Sequence, residues 1–158
     1  RWNLVNRVTK LSEKFWITNG KSWKNENWFK DFNINTINDF LKNHDTKWYL
    51  EKRYHLVQKA NEYITKEEPW TKYKDDSTKA EAVECLEFLL YIVKNLTVLS
   101  APILVESFEK IKNILWTDIL NWLTTDTNGS FEVREKAFNT TDFNVNIQSE
   151  IIYPRIEE

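Results

Sequence analysis

The chain has 158 residues, enough for one domain and at most two. Hydrophobic residues make up 41%, aromatics 15% and Trp alone 8 positions, which excludes a disordered or low-complexity chain. With 22 basic and 24 acidic residues the net charge is −2, so no global basic field marks a nucleic-acid binder, and a single Cys excludes an internal disulfide framework.

Taken in chain order, residues 2–16 read as an amphipathic helix. Trp2, Val5, Val8, Leu11 and Phe15 recur at helical spacing, Asn3, Arg7, Lys10 and Lys14 form a second stripe, and Asn19-Gly20 is expected to end the helix. A weaker helical pattern covers about 29–43, and a better one about 47–65, with Trp48, Leu50, Tyr54, Val57, Asn61 and Ile64. Pro69 breaks that pattern, and Glu68 before it is expected to be extended. The strongest element runs from about 78 to 99, opened by Thr78 and Glu81 as a capping box and carrying Val83, Leu86, Leu89, Leu90, Val93 and Leu96. Apolar over most of its circumference, it should lie at the centre of a bundle. Ala101-Pro102 interrupts it, and a shorter helix resumes over 105–116. After Trp122 the texture changes: Thr124–Ser130 is loop-like, and Phe143, Val145 and Ile147 alternate with Asn144 and Asn146 as in a strand.

These elements predict an all-α fold, a bundle of about five helices over 1–122, with an irregular C-terminal arm, 123–158, packing back on it within the same domain. Only 2 Gly and 3 Pro agree with that. No apolar run reaches a membrane span. One Cys and two His make a zinc site unexpected, and Cys85, inside the apolar helix, reads as a buried structural thiol. Asp75-Asp76 reads as capping and helix-dipole chemistry. No catalytic nucleophile set, metal cluster or phosphate-cradling loop is legible. The composition suits a reducing compartment, the cytoplasm or an organelle. Starting at Arg1 and lacking Met throughout, the chain reads as a piece of a longer protein.

The near-neutral total hides an uneven spread. Residues 1–25 hold six basic side chains and one acid; residues 101–158 hold ten acids and five basic side chains. A basic first helix is a local footprint for phosphates.

The most informative segment is Ala60-Asn61-Glu62-Tyr63-Ile64-Thr65-Lys66-Glu67-Glu68-Pro69-Trp70. A Trp fixed by a preceding Pro is either a core side chain closing a helix end or a rigid indole for stacking on an unpaired base, and composition alone favours the core. The segment resembles the stretch in methionyl-tRNA synthetases where a helix of Asn-x-Tyr-Ile type leads into a Pro-Trp turn. Asn3-Leu4-Val5-Asn6-Arg7 resembles the Asn-Leu-x-x-Arg opening of that family's anticodon-binding helix. Leu99 to Ile111, with Pro102 and Glu106, resembles its Leu-Ser-Pro…Pro-Glu…Lys-Ile junction, and Ile152-Tyr153-Pro154-Arg155-Ile156-Glu157 its closing phrase. Val105 stands where a second Pro is usual, the Gly usual near Trp116 is missing, and residues 20–47 and 123–142 match no such phrase.

The resemblance implies the helical anticodon-binding domain of a class I enzyme that joins methionine to its tRNA using ATP with Mg2+. The catalytic signatures of that family are absent here, so the piece would need no cofactor and would catalyse nothing alone. Its partners would be the anticodon loop of methionine tRNA and its own catalytic domain. By the same resemblance Trp70 would stack on the first base of a CAU anticodon, Asn3 and Arg7 would hydrogen-bond its edge, and Pro69, Lys10 and Lys14 would support them. The competing readings are the helical domain of an isoleucine, valine or leucine enzyme, and a protein-interaction module without RNA. Exposure of Trp70 and of the Asn3/Arg7 stripe separates the last from the first.

Overall fold

The computed structural model describes residues 3–22, 27–29, 35, 39, 42–43, 45–100, 104–115, 117, 120 and 131–148. Among them, in chain order, are α1 (Asn3–Lys14), β1 (Asn19–Lys21), α2 (Thr46–Glu67), the four-residue α3 (Pro69–Lys72), α4 (Lys79–Ser100), α5 (Val105–Leu115), α6 (Phe131–Asn139) and β2 (Asp142–Asn144). The fold is the all-α bundle that the sequence predicts, with one small antiparallel ribbon added. The expected helix over 29–43 falls mostly outside the described residues, as do the Ala101-Pro102 break, the Thr124–Ser130 loop and everything after residue 148.

α4 is the axis. Leu86, Leu89, Leu90, Ile92 and Leu99 are all fully buried, and α1, α2, α3, α5, α6 and β1 each lie against it. A helix this apolar on every side can only be covered by neighbours on every side. Cys85 is the buried thiol expected. Tyr49 of α2 reaches the same core and donates its hydroxyl to the Leu99 carbonyl.

Four local details differ from expectation. α1 ends at Lys14, not at Asn19-Gly20. Trp16, at φ 60°, takes the left-handed position that closes a helix, while the Ile17 N–H donates to the Ser12 carbonyl (2.8 Å) and the Trp16 N–H to that of Glu13 (3.2 Å). These bonds satisfy the end of the helix, and Ile17 is buried behind them. Gly20 instead sits in β1 opposite Phe143, so close to its ring that a side chain there would collide. Thr78 does not form the capping box. Its hydroxyl donates back to the Lys72 carbonyl at 2.8 Å, and Glu81 faces Lys72. Asp75 caps a turn rather than the helix: its carboxylate accepts from the Ser77 N–H (2.9 Å) and hydroxyl (2.8 Å), which holds its pKa below the usual range. Finally, residues 131–139 of the stretch read as irregular form α6. Arg134, Ala137 and Phe138 bury at i, i+3 and i+4, a periodicity too short to stand out.

The alternation at Phe143, Val145 and Ile147 is real, with Asn144 and Asn146 exposed, but the ladder spans only 142–144. Beyond it the N–H groups of Val145, Asn146 and Gln148 turn to the carbonyls of Thr18, Leu115 and Ile114. Lys94, the sole Lys or Arg between Val83 and Leu99, anchors this region. Its fully buried ammonium lies 2.8, 3.0 and 2.7 Å from the carbonyls of Ala137, Phe138 and Thr140, and 2.5 Å from Asn95 Oδ1. A helix end exposes such unpaired carbonyls, and a cation placed there satisfies them. Burial pushes the Lys94 pKa down to about 7. The oxygens around it act the other way, since they accept from N–H groups and offer no donor to a bare amine.

Candidate nucleic-acid interface

Along α1, Leu4, Val5, Val8, Thr9 and Ser12 are buried. Asn3, Lys10 and Lys14 are exposed and Arg7 is half-buried. At about 100° per residue these four fall within roughly 60° of arc, so the stripe is a genuine face. Burial of the opposite side fixes the rotation of α1 and thereby turns the stripe outward.

The second half of the site is the corner between α2 and α4. α2 ends because Pro69 cannot donate to the helix and crowds the residue before it. Glu68 is not extended, as the sequence suggested, but left-handed, at φ 45° and ψ 57°. The Glu68 N–H still makes the last bond of the helix, to the Ile64 carbonyl at 3.1 Å, and the left-handed residue then steers the chain that follows into α3. Pro69 then opens α3 and is itself buried, which suits the first position of a helix. Trp70 follows within α3, and the N–H groups of Thr71 and Lys72 close the turn on the Glu68 carbonyl at 2.9 and 3.1 Å.

The two halves meet. The Arg7 guanidinium lies 5.7 Å from the centre of the Trp70 ring, within cation–π range. The contact joins side chains 63 positions apart in sequence, and Asn3 stands one helical turn from Arg7 on the same stripe. Just past the end of α1, Phe15 stacks on Tyr73 with ring centres 3.9 Å apart and planes inclined by 18°. Lys14 lies 5.6 Å from the Phe15 ring and Lys79 lies 4.8 Å from the Tyr73 ring. α1 is thus held against the corner at two points, and its cations continue past it.

Trp70 is half-buried and packs on the core with one part of its surface. Its sequence neighbours Thr71, Lys72 and Lys74 are polar and give it little apolar cover; the cover comes from the core. Trp48, which its helical spacing presents as a core side chain, is half-buried, with the Lys52 ammonium 5.2 Å from its ring. Trp28, 6% exposed among Tyr63 and Phe88, is a true core indole. Trp16, 86% exposed, is the barest aromatic among the described residues.

Sequence reasoning missed the ionic cluster beneath the corner. Lys72 Nζ lies 2.7 Å from a Glu67 oxygen and 3.4 Å from a Glu81 oxygen, joining the end of α2 to the first turn of α4. The Glu67 carboxylate raises the Lys72 pKa. Spacing could not find it, since the αL residue between Glu67 and Lys72 removes any helical register. Among the described residues no group of three or more His, Cys, Asp or Glu could hold a metal ion, and no helix is long and apolar enough to cross a membrane.

Residues 31–146 match the model of a protein family described as the anticodon binding domain of methionyl tRNA ligase. Over 161 aligned residues the chain is 29% identical to the methionine–tRNA ligase of Borrelia duttonii (strain Ly), covering 99% of this chain and 20% of that protein. It is 27% identical over 133 residues to that of Bacillus mycoides (strain KBAB4), covering 79% and 23%. For Clostridium perfringens (strain 13 / Type A) the identity is 29% over 109 residues, covering 68% and 15%. The chain therefore spans about a fifth of the length of these relatives. Pro69 and Trp70 fall inside the family match, whereas Asn3, Arg7, Lys10 and Lys14 precede it.

Proposed function

This chain belongs to the family of methionyl-tRNA ligase anticodon-binding domains, and from that membership we propose that it holds the anticodon loop of methionine tRNA and reads the CAU anticodon. The observation that supports this reading most is the Arg7–Trp70 contact at 5.7 Å. It puts a planar fork of donors beside a partly open indole, on an outward-facing basic stripe.

RNA loops are read through splayed bases that stack on aromatic rings while planar polar groups meet their edges. Trp70 supplies the ring for the first anticodon base. Asn3 offers a donor group and an acceptor, Arg7 only donors, so the pair suits a base edge carrying both kinds of group. Lys10 and Lys14 contact backbone phosphate, which positions the loop without carrying sequence information. A net charge of −2 does not oppose this, because the cations that meet RNA are gathered on one face of α1. In the longer protein, attachment of methionine using ATP with Mg2+ falls to a catalytic domain, in the cytoplasm, and the present residues supply recognition alone.

Filter binding tests the reading. Methionine tRNA should bind at least about tenfold more tightly than the same tRNA with its first anticodon base exchanged, equivalent to about 1.4 kcal/mol. Equal binding of the two would refute it.

A further inference from the structure

The site described so far accounts for Arg7 and Trp70 but not for what holds the corner that carries Trp70. A half-open indole on a four-residue helix has little of its own to fix it. A left-handed hinge, Glu68, stands immediately before that helix.

Lys72 is tied at both its ends. Its carbonyl accepts the Thr78 hydroxyl at 2.8 Å, and its ammonium bridges Glu67 at 2.7 Å and Glu81 at 3.4 Å. Glu67 is the last residue before the hinge and Lys72 the last of α3, so the bridge spans the hinge and the indole together. Glu81 carries the same cation over to α4. Without the bridge, the corner retains the buried Pro69 and the backbone bonds to the Glu68 carbonyl, but loses its ionic tie between the ends of the two long helices. With two carboxylates around it, Lys72 is also a poor phosphate ligand, since the cluster sums to −1.

We propose that Lys72, held by Glu67 and Glu81, is a positioning residue that sets the Trp70 ring for the anticodon base, and that it does not itself contact RNA. The inference rests on the anticodon reading above. It assigns Lys72 a role in selectivity rather than in bulk attraction, which sets it apart from Lys10 and Lys14. A bridge of this kind, about a quarter exposed at each end, is worth up to about 1 kcal/mol, or about fivefold in a binding constant.

The experiment is equilibrium binding by the full-length protein over a salt series, using methionine tRNA and its first-base-exchanged version. Lys72→Met should weaken binding of methionine tRNA about fivefold, leave the exchanged tRNA unchanged, and leave the slope of log K against log salt unaltered. Lys72→Arg should restore selectivity, and Glu67→Gln should reproduce the loss from the other side of the bridge. A slope reduced by about one unit in Lys72→Met would mean a direct phosphate contact and overturn the inference. An equal loss for both tRNAs, tracking a fall in melting temperature, would reduce Lys72 to general support of the fold and also overturn it. If wild-type protein discriminates between the tRNAs and Lys72→Met discriminates to the same extent, the inference fails alone. If wild-type protein does not discriminate, the anticodon reading fails first.

Discussion

Replacing Trp70 by Ala separates stacking from packing, because the two roles move different observables. A fully buried Trp→Ala change costs about 3–5 kcal/mol of stability. Trp70 is half-buried against the core, so about half of that, roughly 2 kcal/mol, is expected. For a chain of this size about 1 kcal/mol shifts the midpoint by about 2–4 °C, so melting should fall by about 4–8 °C. Binding of methionine tRNA should lose a further 1–3 kcal/mol, about five- to 150-fold, when measured well below the lowered midpoint. Trp28→Ala is the appropriate control: 6% exposed and flanked by Tyr63 and Phe88, it should lose the full amount and melt about 6–20 °C lower. Circular dichroism melts and filter binding at 10 °C on the same samples make the comparison. A Trp70→Ala protein that binds methionine tRNA normally at that temperature would refute the stacking role, however much lower it melts.

Replacing Lys10 and Lys14 together by Ala should weaken every tRNA alike and reduce the salt slope by about 1.5, read from the same binding series. Lys94→Met should destabilise by about 2–4 kcal/mol in denaturant titration, since three carbonyls at the end of α6 lose their cation at once. Gly20→Ala should cost at least about 1–3 kcal/mol, because the added Cβ meets the Phe143 ring and β1 cannot retreat without leaving β2. That loss should appear as a lower urea midpoint at unchanged slope.

The parts of the fold that read directly from the sequence are those governed by a long period. Val83 to Leu96 announces a central helix, and the Asn3–Lys14 stripe announces an amphipathic one, because each repeats over several turns. The bundle and the position of Cys85 followed from these. What stayed hidden depends on contacts between distant residues. Nothing near Gly20 announces that Phe143 will lie on it, and nothing near Trp70 announces its cover from the core. The left-handed Glu68 was hidden for another reason: a residue before Pro has two escapes from helical geometry, and the choice between them follows from where the chain must go next, into α3 and against α4. Lys94 left a trace, a cation inside an apolar run, but not the identity of the carbonyls it meets.

The ribbon of β1 and β2 bears on the order in which the molecule assembles. Asn19, Gly20 and Lys21 pair with Asn144, Phe143 and Asp142, and bonds from Ser22 to Thr141 and from Val145 to Thr18 extend the join. These partners are more than a hundred residues apart, so the closing loop is long and its entropy must be met by burial elsewhere. During synthesis the segment following α1 waits for nearly the whole of this sequence to emerge before its ribbon can form. Until then α1 has only its contacts with α2, α4 and α5 to hold it, and the strand that follows it is an open edge. The α1 stripe proposed to meet RNA is therefore laid down first and locked last, which makes closure of the ribbon a late step in assembly.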